Sequence, residues 1–252
     1  MSIEGKVAVV TGGSGALGRV HCLSLAKAGC DVAVTGHSHF EKAEAVAEEI
    51  RALGSKALAV KMDVANLGEV QEGIKKVEAE LAPVDILVNN AAFGIVRAVT
   101  IANMDKKDWD RDLNVNLTGA FNTIKCCIPG MLERGWGRII NISSIAGTMG
   151  GKGQVSYAAT KAGLIGITKT VALEGARQGI TCNALVLGVF DAGSLYEVAP
   201  EFRERITKRL ALRRAGDPQE LSNVLVFLAS EESSYVTGEA IEVSGGASLF
   251  TF

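Results

Sequence analysis

The 252 residues carry 26 basic and 28 acidic side chains, a formal net charge of −2, with no basic run or aromatic-interleaved patch, which argues against a nucleic-acid partner. No apolar run approaches the roughly 18 residues of a membrane span, and residues 1–5 lead into an apolar run with no signal-peptide pattern. The five cysteines are odd in number and lack CxxC spacing, so they are expected to be buried thiols of a soluble, cytoplasmic protein in a reducing compartment, and no metal site is expected.

Along the chain, short β-branched runs alternate with longer helical patterns. Strands are expected over 7–10, 32–35, 57–60, 86–89, 139–142, 181–186 and 240–243, and helices over 17–28, 40–53, 67–81, 109–134, 157–177 and 218–228. This rhythm predicts one domain over 1–252 with a doubly wound α/β Rossmann fold, a seven-stranded parallel sheet with helices on both faces. The stretch 109–134 is expected to bend or break at Pro129-Gly130. Asp217, Pro218 and Glu220 form a helix start, with a carboxylate cap, proline at the first helical position and glutamate three past the cap. Segment 188–199 lacks periodicity and follows the sixth strand at its C-terminal end, where open α/β sheets bind ligands. A substrate lid is therefore expected within 188–215.

The first strand runs into Thr11-Gly12-Gly13-Ser14-Gly15-Ala16-Leu17-Gly18, and Leu17 begins an apolar helical pattern. Gly13, Gly15 and Gly18 fit GxGxxG, in which small residues let the backbone approach a pyrophosphate at the positive end of a helix. Gly12, Ser14, Gly15, Leu17 and Gly18 are accordingly candidate cofactor contacts. A carboxylate ending the second strand would bind the ribose hydroxyls of NAD, but Gly36, His37, Ser38 and His39 stand there and Asp31 precedes the strand. Nothing at that end repels a 2′-phosphate, Ser38 can hydrogen-bond one, and a protonated His37 or His39 can bind it. NADP(H) is the expected preference, with NAD(H) as the alternative.

Tyr157 and Lys161 stand four apart, on one face of a helix. A cation beside a phenol favours the phenolate, and a tyrosine so tuned can exchange a proton with an alcohol or a ketone oxygen. Ser144, in a Ser/Gly-rich loop upstream, can hold the same oxygen.

Together these residues resemble the short-chain dehydrogenase/reductase family, compact branch, across nearly the whole chain. Thr11-Gly12 with Gly15 and Gly18 is similar to the family's phosphate-binding turn, Asp63-Val64 to its adenine contact, and Asn89-Asn90-Ala91-Ala92 to its Asn-Asn-Ala-Gly motif. Asn116 matches the asparagine that helps order a proton-relay water. Ser144, thirteen residues before Tyr157, matches the substrate-orienting serine, and Tyr157 with Lys161 matches the catalytic pair. The resemblance implies that Asn116, Ser144, Tyr157 and Lys161 are catalytic and that Lys161 also grips the nicotinamide ribose. It further implies cofactor contacts at Asp63, Val64, Asn90, Ala91, Gly188 and Phe190, and a homotetramer, with a dimer as the alternative. Leu187 replaces the usual proline before Gly188, and Ala192 stands where a threonine commonly anchors the carboxamide. That anchor then falls to backbone groups or Ser194. Ala16 and Ala92 replace glycines, and Ser244 occupies a position often held by aspartate.

The pattern is most similar to 3-oxoacyl-thioester reductases, which implies NADPH-dependent reduction of a 3-oxoacyl thioester on acyl carrier protein or CoA. Two alternatives are a dehydrogenase of an alicyclic hydroxyacyl-CoA or other secondary alcohol, and, in a different class, a non-catalytic cofactor-binding regulator. Ala146, Met149, Phe93, Val189 and Tyr196 form the expected apolar substrate pocket, with Ile145 and Phe190 beside them. A basic patch formed by Arg97, Arg203, Arg205, Lys208, Arg209, Arg213 and Arg214 is a candidate grip for a pantetheine phosphate or an acyl carrier protein.

Overall fold

The computed structural model describes residues 3–94 and 98–249. Among them, seven strands form one parallel sheet: β1 Val7–Val10, β2 Asp31–Gly36, β3 Ala57–Lys61, β4 Ile86–Asn89, β5 Gly137–Ser144, β6 Ile180–Leu187 and β7 Ala240–Val243. Their order is β3-β2-β1-β4-β5-β6-β7. The described α-helices are α1 Ala16–Lys27, α2 Phe40–Ala52, α3 Leu67–Glu80, α4 Lys106–Leu113, α5 Gly119–Arg134, α6 Ile145–Met149, α7 Val155–Gly175, α8 Pro200–Thr207 and α9 Pro218–Ala229. No described helix is long and apolar enough to cross a membrane.

The central strands are continuous apolar runs because both sheet faces are covered. Alternate residues of β1 serve opposite cores. Ala8 and Val10 pack with Leu25, Val46 and Leu225 of α1, α2 and α9. Val7 and Val9 pack with Ile74, Ile124 and Val171 of α3, α5 and α7. The chain order along the sheet reverses between β1 and β4, so the loops leaving these two strands part and open a crevice at their C-terminal ends.

β5 and β6 are each longer than their apolar centres because their polar residues find buried partners. Asn89 Nδ2 donates to Asn141 Oδ1 at 2.8 Å, and Asn141 Nδ2 donates to Thr168 Oγ1 of α7 at 2.8 Å. Ser143 Oγ donates to the Lys161 carbonyl at 2.7 Å. This buried ladder fixes α7 against the strand that ends at Ser144.

The stretch 109–134 does break, but not at Pro129. The helix α5 runs through the proline, and the interruption is a π-turn at Asn114–Thr118 that joins α4 to α5. Proline leaves the carbonyl four residues earlier without its helical donor. Lys125 and Pro129 both lie on the exposed face, where water can satisfy that carbonyl. The π-turn instead carries Asn116, and such turns recur at functional sites.

Candidate active site

The glycine turn after β1 and the loops after β2, β3 and β4 enclose a cavity of about 480 Å³. Gly12, Ser14, Gly15, Leu17 and Gly18 line it, as do His37, Ser38, Asp63, Val64, Asn90 and Ala91. These candidate contacts thus converge from four separate stretches of sequence. The turn has no room for larger side chains: a Cβ on Gly18 would stand 2.2 Å from the Gly12 carbonyl oxygen, and Gly12 itself has φ +60°. Gly13 serves a different purpose from that read in the sequence motif, since it packs against Val34 and Cys22 rather than lining the cavity. Gly15 caps α1 with no side-chain hydrogen bond among the described residues, and the first turn of α1 holds no acidic residue. Open backbone N–H groups and the positive helix end fit the pyrophosphate of a dinucleotide.

Thr11 and Asn90 hold this cradle. Thr11 Oγ1 accepts the backbone N–H groups of Asn90 and Ala91 at 2.9 and 3.0 Å, and Asn90 Nδ2 donates to the carbonyls of Thr11 and Gly12 at 2.9 and 3.1 Å. The Asn90 side chain is therefore committed to the loop, a bracing role that the motif alone did not reveal. At the far end, His37 and Ser38 are exposed and lie 3.4 Å apart between Nδ1 and Oγ. Asp31 accepts the Lys56 backbone N–H at 2.9 Å at the opposite end of β2 and takes no part in the cavity.

Beyond the cavity lining lie Ser144, Tyr157 and Lys161. Ser144 ends β5 and its Oγ accepts the Ala146 N–H at 3.1 Å, while hydrogen-bonding the Tyr157 phenol. Tyr157 is 7% exposed, and burial pushes its pKa up to about 12 against the downward pull of Ser144. The expected lysine-depressed phenol is not what the structure shows. Lys161 Nζ lies 5.4 Å from the Tyr157 ring centroid and donates to the Ile142 carbonyl at 2.7 Å, and burial lowers its own pKa to about 8. Desolvation dominates at both groups because both are enclosed.

Asn116 is also committed to protein partners. Its Nδ2 donates to the Phe93 carbonyl at 3.0 Å and Thr160 Oγ1 at 3.2 Å, and its Oδ1 accepts the Phe93 N–H at 2.7 Å. Both amide hydrogens are engaged, so the side chain braces the loop after β4 against α7.

Several candidates lie elsewhere than expected. Phe190 is buried in the core with Leu187 and Leu221, outside the cavity lining, and its backbone is bridged to Gly216. Gly188 donates its N–H to the Val243 carbonyl at 3.0 Å and is likewise outside the lining. Val189 is half-buried and accepts the Gly216 N–H at 2.9 Å. Ala146 is buried, whereas Phe93, Met149 and Tyr196 are exposed by 49%, 57% and 59%, and of these only Phe93 lines the cavity. Tyr196 donates to Asp191 Oδ1 at 2.6 Å. Within the basic patch, Lys208 is paired with Glu204 and Arg214 with Glu220, Arg203 stacks on Tyr196 and Arg205 on Phe202. Arg97 lies outside the described residues.

Sequence reasoning missed Thr35, Met62, Val115 and Glu197, which also line the cavity. Thr35 lies near the end of β2 and Met62 just past β3, where each reads as part of a strand pattern. Glu197 comes from a 3-10 turn at Gly193–Glu197 that places Ala192, Gly193 and Ser194 over the same space. Ser244, which had no role in the sequence reading, bonds Glu242 and accepts the Ala247 N–H at 3.0 Å, closing the turn after β7. All five cysteines are free, four of them buried, and burial raises their thiol pKa values. Among the described residues no cluster of three or more His, Cys, Asp or Glu could hold a metal ion.

Residues 14–248 match a family model described as enoyl-(acyl carrier protein) reductase. The chain is similar to Nodulation protein G of Azospirillum brasilense, 43% identical over 241 residues, covering 96% of this chain and 97% of that protein. It is 42% identical to 3-oxoacyl-(acyl-carrier-protein) reductase FabG of Staphylococcus epidermidis, over 96% of this chain and 98% of that one. The FabG of Aquifex aeolicus is 40% identical over 98% of each chain. A solved structure from Agrobacterium tumefaciens assigned as a gluconate dehydrogenase superposes with a TM-score of 0.93 at 33% identity, over 98% of this chain and 97% of that one. With a glycine cradle that fits a dinucleotide and with relatives matched along nearly its full length, the chain belongs to the short-chain dehydrogenase/reductase family and is an NAD(P)-dependent oxidoreductase.

Proposed function

We propose that this enzyme reduces the keto group of a 3-oxoacyl thioester, carried on acyl carrier protein or CoA, with NADPH preferred and NADH as the alternative. The observation that carries the reading is the buried Tyr157 phenol bonded to Ser144, a protonated donor and a second hydroxyl placed together where a ketone oxygen can take a proton. The names of the FabG relatives support the thioester.

In this reading the bound nicotinamide supplies the hydride. Ser144 and Tyr157 converge on the substrate oxygen, and Tyr157 delivers the proton from Oη. Lys161 holds α7 to β5 through Ile142 and grips the ribose. Asn116 keeps Phe93 and Thr160 in place. Gly12, Gly15 and Gly18 cradle the pyrophosphate, Asp63 and Val64 bound the adenine end, and His37 with Ser38 receives the 2′-phosphate. Residues 188–215 form the lid, with Ala192 to Glu197 over the cofactor and the exposed Phe93, Met149 and Tyr196 offered to the acyl chain. A homotetramer and a reducing, cytoplasmic setting complete the proposal.

A second reading, oxidation of a secondary alcohol, is favoured by the name of the Agrobacterium neighbour. The test is a panel of 3-oxoacyl thioesters on acyl carrier protein and on CoA, free ketones and sugar-acid alcohols, each assayed with NADPH and NADH. Fastest turnover of a thioester with NADPH is the expected result. Turnover of alcohols alone establishes the second reading, and cofactor binding without turnover of any compound would leave a non-catalytic regulator.

A further inference from the structure

The Asp112 carboxylate is fully buried, and Ser156 Oγ donates to its Oδ2 at 2.6 Å. Asp112 belongs to α4 and Ser156 to the first turn of α7, immediately before Tyr157. A buried carboxylate is costly unless it is paired and hydrogen-bonded, and here Ser156 bonds Oδ2 while Arg111 Nε stands 3.8 Å from Oδ1. The location supplies a reason for placing one here. Four residues after Asp112, in the π-turn, Asn116 donates to Thr160 at 3.2 Å. One continuous helical segment therefore ties α7 at Ser156 and again at Thr160, on either side of Tyr157.

We infer that Asp112 and Ser156 are positioning residues that set the Tyr157 phenol against Ser144. The first turn of a helix has backbone N–H groups without intrahelical partners and is the part that frays, and an anion beside it is favourable. The Asp112–Ser156 bond holds this turn from outside the helix. The loop after β4 closes on the same carboxylate, since a Cβ on Gly94 would stand 2.5 Å from Asp112 Oδ2. The pair thus joins three elements, with the loop also carrying Phe93 to Asn116. Neither residue lines the cofactor cavity, so the effect is on the chemical step and not on cofactor binding.

The inference rests on Tyr157 being the proton donor, so Tyr157→Phe is measured alongside. With Ser156→Ala, kcat is expected to fall roughly tenfold, the scale of a slightly misplaced catalytic group, while the cofactor Kd from fluorescence titration stays within about twofold. Asp112→Asn keeps an oxygen to accept the serine hydroxyl, and its kcat is expected within about threefold of the parent. The double variant Asp112→Leu with Ser156→Ala buries no lone carboxylate and is expected to show the full loss, which keeps the test running if Ser156→Ala alone does not fold. Parental kcat in Ser156→Ala or the double variant, with Tyr157→Phe inactive, overturns this inference alone. Loss of cofactor affinity in step with kcat also overturns it. Full activity in Tyr157→Phe overturns the reading of the site and this inference with it.

Discussion

Lys161 is joined to β5 at both ends: its ammonium donates to the Ile142 carbonyl at 2.7 Å, and its own carbonyl accepts Ser143 Oγ at 2.7 Å. One residue of α7 is thereby clamped to the strand that ends at Ser144, so the relative placement of Ser144 and Tyr157 depends on this side chain.

Lys161→Met is expected to lower kcat by roughly a hundredfold or more, because orientation of the phenol and the cofactor grip are lost together. Its stability should show a second signature. Burial lowers the native ammonium to about 8 from its ordinary 10.5, so between these values the unfolded chain holds a proton that the native state has lost. Native stability from this group is fully present above 10.5 and is lost as pH falls through 8. Denaturant unfolding from pH 7.5 to 10 should show the parent gaining on the variant, and parallel curves would contradict the assignment.

His21 is fully buried in α1, with Nδ1 at 2.8 Å from Ser222 Oγ of α9, and burial lowers its pKa to about 4 from 6.5. A depressed histidine contributes stability above 6.5 that is lost as pH falls through 4. The loss is on the order of 3 kcal/mol for the full drop. Replacing His21 by Leu should flatten the acid limb of the unfolding curve, even where the lost Ser222 contact lowers stability at pH 7. An unchanged limb would assign acid sensitivity elsewhere.

Gly18→Ala places a Cβ against backbone atoms, 2.2 Å from the Gly12 oxygen and 2.9 Å from Gly13 Cα. No rotamer change relieves this, so the turn and α1 must separate. Stability should fall by about 1–3 kcal/mol and the cofactor Kd should rise at least about tenfold. Calorimetric titration decides it, and a parental Kd would show that the turn yields without consequence.

Ser38→Asp puts a carboxylate at the end of β2, beside His37 in the cavity wall. The change should raise the KM for NADPH roughly tenfold or more and favour NADH, through repulsion of the 2′-phosphate and a new acceptor for the ribose hydroxyl. Steady-state kinetics with both cofactors test it. An unchanged KM ratio would place the 2′-phosphate away from Ser38.

The parts legible in the chain were those whose causes are local. Val7–Val10 and Ile86–Asn89 read as buried strands because every residue is apolar or end-capping, and the structure gives them the same limits. The Asp217 capping box announced the start of α9 in four residues. The break in 109–134 was misplaced because proline has a strong local signature, while a π-turn arises from the fit of Asn116 between Phe93 and Thr160, groups that lie far away in sequence. Phe190 looked like a cofactor or substrate contact by position, and only the packing with Leu187 and Leu221 put it in the core.

The sequence by itself determined the alternation of strands and helices, the glycine turn, and the Tyr157–Lys161 spacing, since each depends on residue type over a few positions. Only the tertiary structure decided which way that pair shifts, because desolvation is a property of the enclosure: burial drives Tyr157 up and Lys161 down. It likewise decided that Asp112 meets Ser156 across 44 residues of chain, a contact that no periodicity encodes.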